Sequence, residues 1–350
     1  MRGMKTLLVI LLAVFLSGCS FMVKTPTVAN YGNLPQIDNN TTKNDIAILL
    51  GTPQGEGIHI YDGAPHEMQF YYGFAGKLTF NTAQYDSGTA FITYGSNRPL
   101  DIIYFTSKAT GAEISFTKNL SIKTLANNIK LGESNIEAAI SVFGQPDYVG
   151  KRINFKKNIN HKIAYWDASR LETKGAINEK WIMIGYDNSG ITQDLIWVSS
   201  SSEDINEFGE ISTQQIKQLS RLTIAGFFPV LEPTAMSTGT KIDPVQVDAL
   251  IKTSPANIND IIKVLGLPTA LGIKSFDGDV PMSLSNWSFS IVEMKGREHN
   301  YIPPMASEEE REKLEKGQTF MVMSVEQSRL IVGHDRDGEI KEILWIRPVK

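Results

Sequence analysis

The chain has 350 residues, 34 basic against 38 acidic side chains, and one cysteine. The mild acidic excess argues against a nucleic-acid partner, which needs a basic stripe, and a lone cysteine excludes an intramolecular disulfide. The length suffices for two or three ordinary domains.

At the N-terminus Arg2 and Lys5 precede an unbroken apolar run from Leu7 to Leu16. A helix needs ~20 apolar residues to span a bilayer, so this shorter run reads as the core of an export signal. It ends in Leu16-Ser17-Gly18-Cys19, which resembles the lipobox of bacterial lipoproteins. The resemblance implies signal-peptidase recognition of Leu16, Ser17 and Gly18, cleavage before Cys19, and covalent lipid on that thiol; no other cofactor is expected. Buried acyl chains contribute about 0.8 kcal/mol per methylene, so such an anchor is durable. Losing Arg2 and Lys5 with residues 1–18 takes the net charge from −4 to about −6. Ser20, where retained lipoproteins often carry Asp, implies the outer membrane, with the body in the periplasm. Residues 19–36, with Pro26, Gly32 and Pro35, predict a flexible tether.

The body repeats itself. Asp45 to Leu50 runs into Gly51-Thr52-Pro53, Ile136 to Phe143 into Gly144-Gln145-Pro146, and Ile258 to Leu265 into Gly266-Leu267-Pro268. Each reads as a short helix stopped by glycine, with proline preventing continuation. In the third copy Ile258, Ile261, Ile262 and Leu265 form one apolar stripe. Each copy also closes alike. Trp181 to Tyr186 and Asp194 to Val198 flank a turn at Gly190, and Arg329 to His334 and Glu342 to Ile346 flank one at Gly338. Ala90 to Tyr94 and Ile102 to Phe105 flank a looser turn in the first copy. These are β-hairpins, each preceded by a strand, at Met68 to Phe74, Lys162 to Trp166 and Asn286 to Val292.

The helix–Gly-x-Pro start and the Asp-x-x-Gly to Trp close resemble the SmpA/OmlA (BamE-like) lipoprotein domain, in the same fold group as β-lactamase inhibitor protein. The resemblance implies an α+β fold: three tandem units, each of one or two short helices packed on a three-stranded antiparallel meander. The units fall at 37–118, 119–203 and 240–350. Residues 204–239 form a connector, with a helix expected from Ile211 to Leu222 and an apolar patch at Phe227 and Phe228. Lys295 to Gln318 interrupts the third sheet, and Ser307 to Lys316 predicts a charged helix on a hairpin loop.

No catalytic constellation emerges. His59, His66, His161, His299 and His334 lack metal-ligand spacing, Asp335 to Gly338 reads as a hairpin turn, and Ser115-Phe116-Thr117-Lys118 stands without the companion motifs of a penicillin-binding enzyme. The expectation is a non-catalytic scaffold or assembly factor anchored in the membrane through its lipid. It would bind envelope or outer-membrane proteins through open sheet faces and aromatic residues, among them Tyr71, Tyr72, Phe227 and Phe228. An inhibitor or regulator of a periplasmic enzyme is the alternative. No metal and no small-molecule substrate is evident.

Overall fold

A computed structural model of the chain describes residues 21–24, 34, 37–61, 63–78, 83–107, 120–168, 170–171, 176–200, 222–225, 235–239, 242–276, 281–299 and 319–349. The export signal, Cys19, residues 115–118, residues 211–221 of the expected connector helix, Phe227, Phe228 and the charged segment 307–316 lie outside the described residues.

Among the described residues the helices are α1 (Lys43–Leu50), α2 (Ile122–Asn128), α3 (Ile136–Phe143), α4 (Pro244–Lys252) and α5 (Ile258–Leu265). Helices α1, α3 and α5 share one design. Thr42, Asn135 and Asn257 cap their N-termini through side-chain oxygens. Gly51, Gly144 and Gly266 stop them at φ 86°, 75° and 77°, a region other residues enter at a cost.

Four barrel strands follow each of these helices. After α1 come β2 (Gly55–Tyr61), β3 (Ala64–Leu78), β4 (Ala83–Gly95) and β5 (Arg98–Ser107), with β1 (Phe21–Lys24) earlier in the chain. After α3 come β6 (Tyr148–Asn154), β7 (Ile159–Asp167), β10 (Lys180–Tyr186) and β11 (Thr192–Ser199), with the short β8 (Arg170–Leu171) and β9 (Ala176–Asn178) between β7 and β10. After β12 (Leu222–Ala225), β13 (Ala235–Gly239) and α5 come β14 (Ala270–Ser275), β15 (Met282–His299), β16 (Thr319–His334) and β17 (Ile340–Pro348). Each quartet is a meander, and its last strand pairs with the first strand of the next: β5 with β6, β11 with β14, and β17 back to β2. The result is a closed antiparallel barrel of 12 strands.

This closure corrects the expected fold. The molecule is one barrel of mostly sheet, not three α+β BamE-like units in tandem, so the SmpA/OmlA and β-lactamase-inhibitor likeness does not hold. Each copy contributes four barrel strands rather than three. The strands missed are β2, β6 and β14, which directly follow the Gly-x-Pro stop and contain glycine, a residue depleted in strands. They are the strands that join one sector to the next. Phe21–Lys24, within the expected tether, pairs with β3 and runs parallel to β16, while Leu34 and Ile37 are buried against α1. The third sheet is interrupted later than expected, since β15 continues through His299 and β16 starts at Thr319.

Close approach at the three joints requires glycine. A Cβ on Gly57 would sit 1.7 Å from the Trp345 carbonyl oxygen, on Gly150 1.8 Å from that of Tyr104, and on Gly272 2.1 Å from that of Trp197. Each of these glycines lies six residues after a helix-stop glycine.

Side chains alternate across the wall, as strand geometry requires. The outward set packs under the helices in three cores. Ile46 and Leu50 meet Tyr71, Ile92 and Ile102; Ala139 and Phe143 meet Trp166, Ile182 and Trp197; Ile258 and Ile261 meet Trp287, Leu330 and Trp345. Trp166 Nε1 donates to the Gly144 carbonyl at 2.9 Å and Trp287 Nε1 to the Gly266 carbonyl at 3.0 Å, fastening helix ends to the wall. The inward set faces the barrel interior. Among the described residues, the outward side chains of these three cores lie under helices rather than on an open sheet face.

Candidate functional site inside the barrel

Two residues after each joint glycine stands a basic side chain that points inward: His59, Arg152 and Lys274. Three residues before Tyr104, Trp197 and Trp345 stands an inward carboxylate: Asp101, Asp194 and Glu342. Barrel closure brings these six together at one level of the interior.

The contacts are close but unequal. Arg152 Nη1 donates to Asp194 Oδ1 at 3.0 Å, and His161 Nδ1 lies 2.8 Å from Asp194 Oδ2. Gly185, opposite Asp194, leaves room for that carboxylate. Lys274 Nζ donates to Glu342 Oε1 at 2.6 Å. His59 Nε2 lies 2.6 Å from the same oxygen, and its Nδ1 is 2.9 Å from Thr93 Oγ1. A ring with its proton on Nε2 would donate to the carboxylate and accept the threonine hydroxyl at Nδ1. Phe276 lies under both cations, with Arg152 Cζ 4.1 Å and Lys274 Nζ 4.4 Å from its centroid. Asp101 is the exception. Its nearest cationic atom is Arg152 Nε, 3.7 Å from Oδ1, and that oxygen has no hydrogen-bond partner among the described residues.

Burial raises both of these carboxyls, but their net shifts run in opposite directions. For Glu342, burial alone would raise the pKa, but Lys274 and His59 together hold it well below the usual carboxylate range. For Asp101, burial dominates and pushes the carboxyl up, against the pull of Arg152, His59 and Lys274.

Beside this ring lies a cavity of about 120 Å³, walled by Met68, Phe91, Ile103, Phe105, Tyr165, Trp181, Met183, Ile196, Ile331 and Leu344. His59, Thr93 and Asp101 supply polar lining from the ring, and Arg329 supplies it away from the ring. Arg329 Nη2 donates to Glu179 Oε1 at 3.2 Å; Trp181 Nε1 and Asn286 Nδ2 also donate to Glu179. Phe105 stacks on Tyr165 with centroids 4.8 Å apart, and Trp181 lies 5.7 Å from Tyr165 on a similar plane. The space holds several waters or a molecule near the size of benzene, which occupies an engineered cavity of about 150 Å³.

The residues singled out from sequence lie elsewhere. Tyr71, expected to meet a partner, is fully buried on the outward face and donates its hydroxyl to Gln69 Oε1 at 3.0 Å. Tyr72 is half-buried and stacks near Phe70 on the inward side. Of the histidines, His59 and His161 join the ring although their spacing suggested nothing. His334 is buried outside the barrel lumen, near Ser285, and burial lowers its pKa. A signal for the ring was present in the sequence: the acid three residues before the aromatic residue of each sector's last strand, and the base two residues after each joint glycine.

No family model matches the chain, and no curated protein or solved structure matches it. A β-barrel in which no described helix is long and apolar enough to cross a membrane is compatible with an outer-membrane location.

Proposed function

We propose that the protein is a non-catalytic binding barrel of the cell envelope, tethered to the outer membrane by lipid on Cys19, that holds a small, largely apolar molecule in its interior. The observation that carries this reading is the cavity of about 120 Å³, apolar except for four polar side chains, enclosed in a closed wall. Lipid rather than the barrel itself is the membrane element in this reading. A membrane-spanning barrel turns an apolar band toward lipid, whereas the outward side chains of the three described cores are packed under helices. The tether rests on Leu16-Ser17-Gly18-Cys19, and the periplasmic placement on Ser20.

The scaffold and inhibitor readings have less support. The first drew on open sheet faces and the second on the likeness to β-lactamase inhibitor protein, and the exposed large apolar side chains of the described helices, Ile48, Val245 and Val264, are single residues of the kind any surface carries.

Native mass spectrometry of the full chain extracted from membranes, beside Cys19→Ala, tests the proposal. The expected wild-type mass lacks residues 1–18 and carries acyl groups lost in the variant, and a non-covalent small molecule travels with the barrel. A mass independent of Cys19 would remove the tether. The absence of any adduct, together with no rise in melting temperature on adding toluene, would remove the interior site.

A further inference from the structure

The three carboxylates of the ring are equivalent by position but not by company. Asp194 has Arg152 at 3.0 Å and His161 at 2.8 Å, and Glu342 has Lys274 and His59 each at 2.6 Å. Asp101 shares only the Nε side of Arg152, at 3.7 Å, a guanidinium already given to Asp194. The third basic position is a histidine, so two permanent cations face three carboxylates. Asp101 is 6% exposed, lines the cavity, and carries the oxygen without a hydrogen-bond partner among the described residues. Away from the ring the balance differs: Arg329 Nε also lacks a hydrogen-bond partner among the described residues, but its guanidinium is matched by Glu179.

We propose that the cavity binds a small amphipathic amine, its ammonium group seated at the Asp101 carboxylate and its apolar body against Phe91, Phe105, Tyr165 and Trp181. This rests on the interior-binding reading above and names the ligand class for it. An ammonium adds a third permanent cation to the ring and a donor to the Asp101 oxygen that has none among the described residues, and nearby aromatic faces favour a positive group. Arg152 and Lys274 oppose a third cation, but each is committed to its own carboxylate and both lie over Phe276. The groups acting on Asp101 are Arg152, His59 and Lys274, which favour its ionised form, and burial and Glu342, which disfavour it. A bound ammonium adds to the first set and draws the carboxyl toward ionisation.

Isothermal titration calorimetry of the full chain at pH 7 with benzylamine, benzyl alcohol, toluene and phenylacetate separates the terms. Benzylamine is expected to bind at least about tenfold tighter than toluene, a difference of about 1.4 kcal/mol, with phenylacetate weakest. In Asp101→Asn the preference for benzylamine over toluene should collapse to within about twofold. Phenylacetate binding tightest would place the recognition at Arg329 and overturn the proposal. So would benzyl alcohol matching benzylamine, because a neutral donor would then suffice, or equal affinity for all four probes. If the Asn variant fails to fold, the wild-type order alone decides. If no probe binds, toluene included, the interior-binding reading fails along with its ligand class.

Discussion

The second and third sectors of the barrel carry Trp197 and Trp345 in their last strands, cap α3 and α5 with Asn135 and Asn257, and set Arg152 and Lys274 beside the joint. The first sector has Tyr104, Thr42 and His59 at the same places. It also supplies half of the cavity wall: His59, Met68, Phe91, Thr93, Asp101, Ile103 and Phe105. The sector that departs from the shared pattern is therefore the one turned to the cavity. Its outward core and joint follow the common plan, while its inward charges are left incomplete.

The largest expected effect breaks the comparison at the ring. Asp194→Asn leaves Arg152 and His161 buried without their carboxylate, and losing one partner of a buried pair costs about 3–5 kcal/mol. Asp101→Asn, the equivalent change in the first sector, should raise the urea midpoint at pH 7, because burial already disfavours that charge. Urea unfolding at equal slopes checks both. If Asp101→Asn destabilises as much as Asp194→Asn, the first sector's acid is an ordinary structural member of the ring, and the contrast is lost.

Next in size are the joints, where the three sectors should behave alike. Gly57→Ala, Gly150→Ala and Gly272→Ala each drive a methyl group into a backbone carbonyl that cannot turn away without breaking the ladder. Overpacking of this kind costs about 3 kcal/mol, the upper part of its usual range. Thermal melts of the three variants give the comparison directly. A mild Gly57→Ala beside two severe partners would mean that the β17–β2 joint, which closes the barrel between distant parts of the chain, is looser than the other two.

How much of this was legible depends on whether the information was local. The helix stops at Gly51, Gly144 and Gly266 and the hairpins around Gly190 and Gly338 are written in short segments, because caps and turns are chosen by neighbouring residues. Closure is not. It depends on pairs such as Ile343 with Ile60, far apart in sequence, and on glycine-bearing strands that look too weak to be strands. The ring was hidden by an ambiguity of period. Asp194 beside Leu195, or Glu342 beside Ile343, gives the alternation of a sheet with one wet face, and a charged barrel lumen gives the same alternation. An open sheet was the simpler reading, and it carried the three-unit fold and the exposed aromatic residues with it.

The smallest expected effect is a pH dependence in which Asp101 and Glu342 pull in opposite directions. Glu342 has its pKa depressed in the folded state, so its stabilisation is complete above the ordinary value of 4.5 and is lost as the pH falls below it. His334 is also depressed, by burial, so it disfavours the folded state as the pH falls below 6.5, where the unfolded chain takes up the proton first. Asp101 is raised, so the folded state takes up its proton first, and stability is regained as the pH falls from that raised value toward 3.8. Asp101→Asn removes the one opposing contribution of the three. The variant should therefore start more stable than wild type at pH 7 and lose stability more steeply on acidification, the two converging as the pH approaches 3.8. Urea midpoints measured from pH 7 down to pH 4 read the slopes. Parallel curves would mean that the Asp101 carboxyl titrates alike in the folded and unfolded chains, leaving the first sector's charge no less complete than the others.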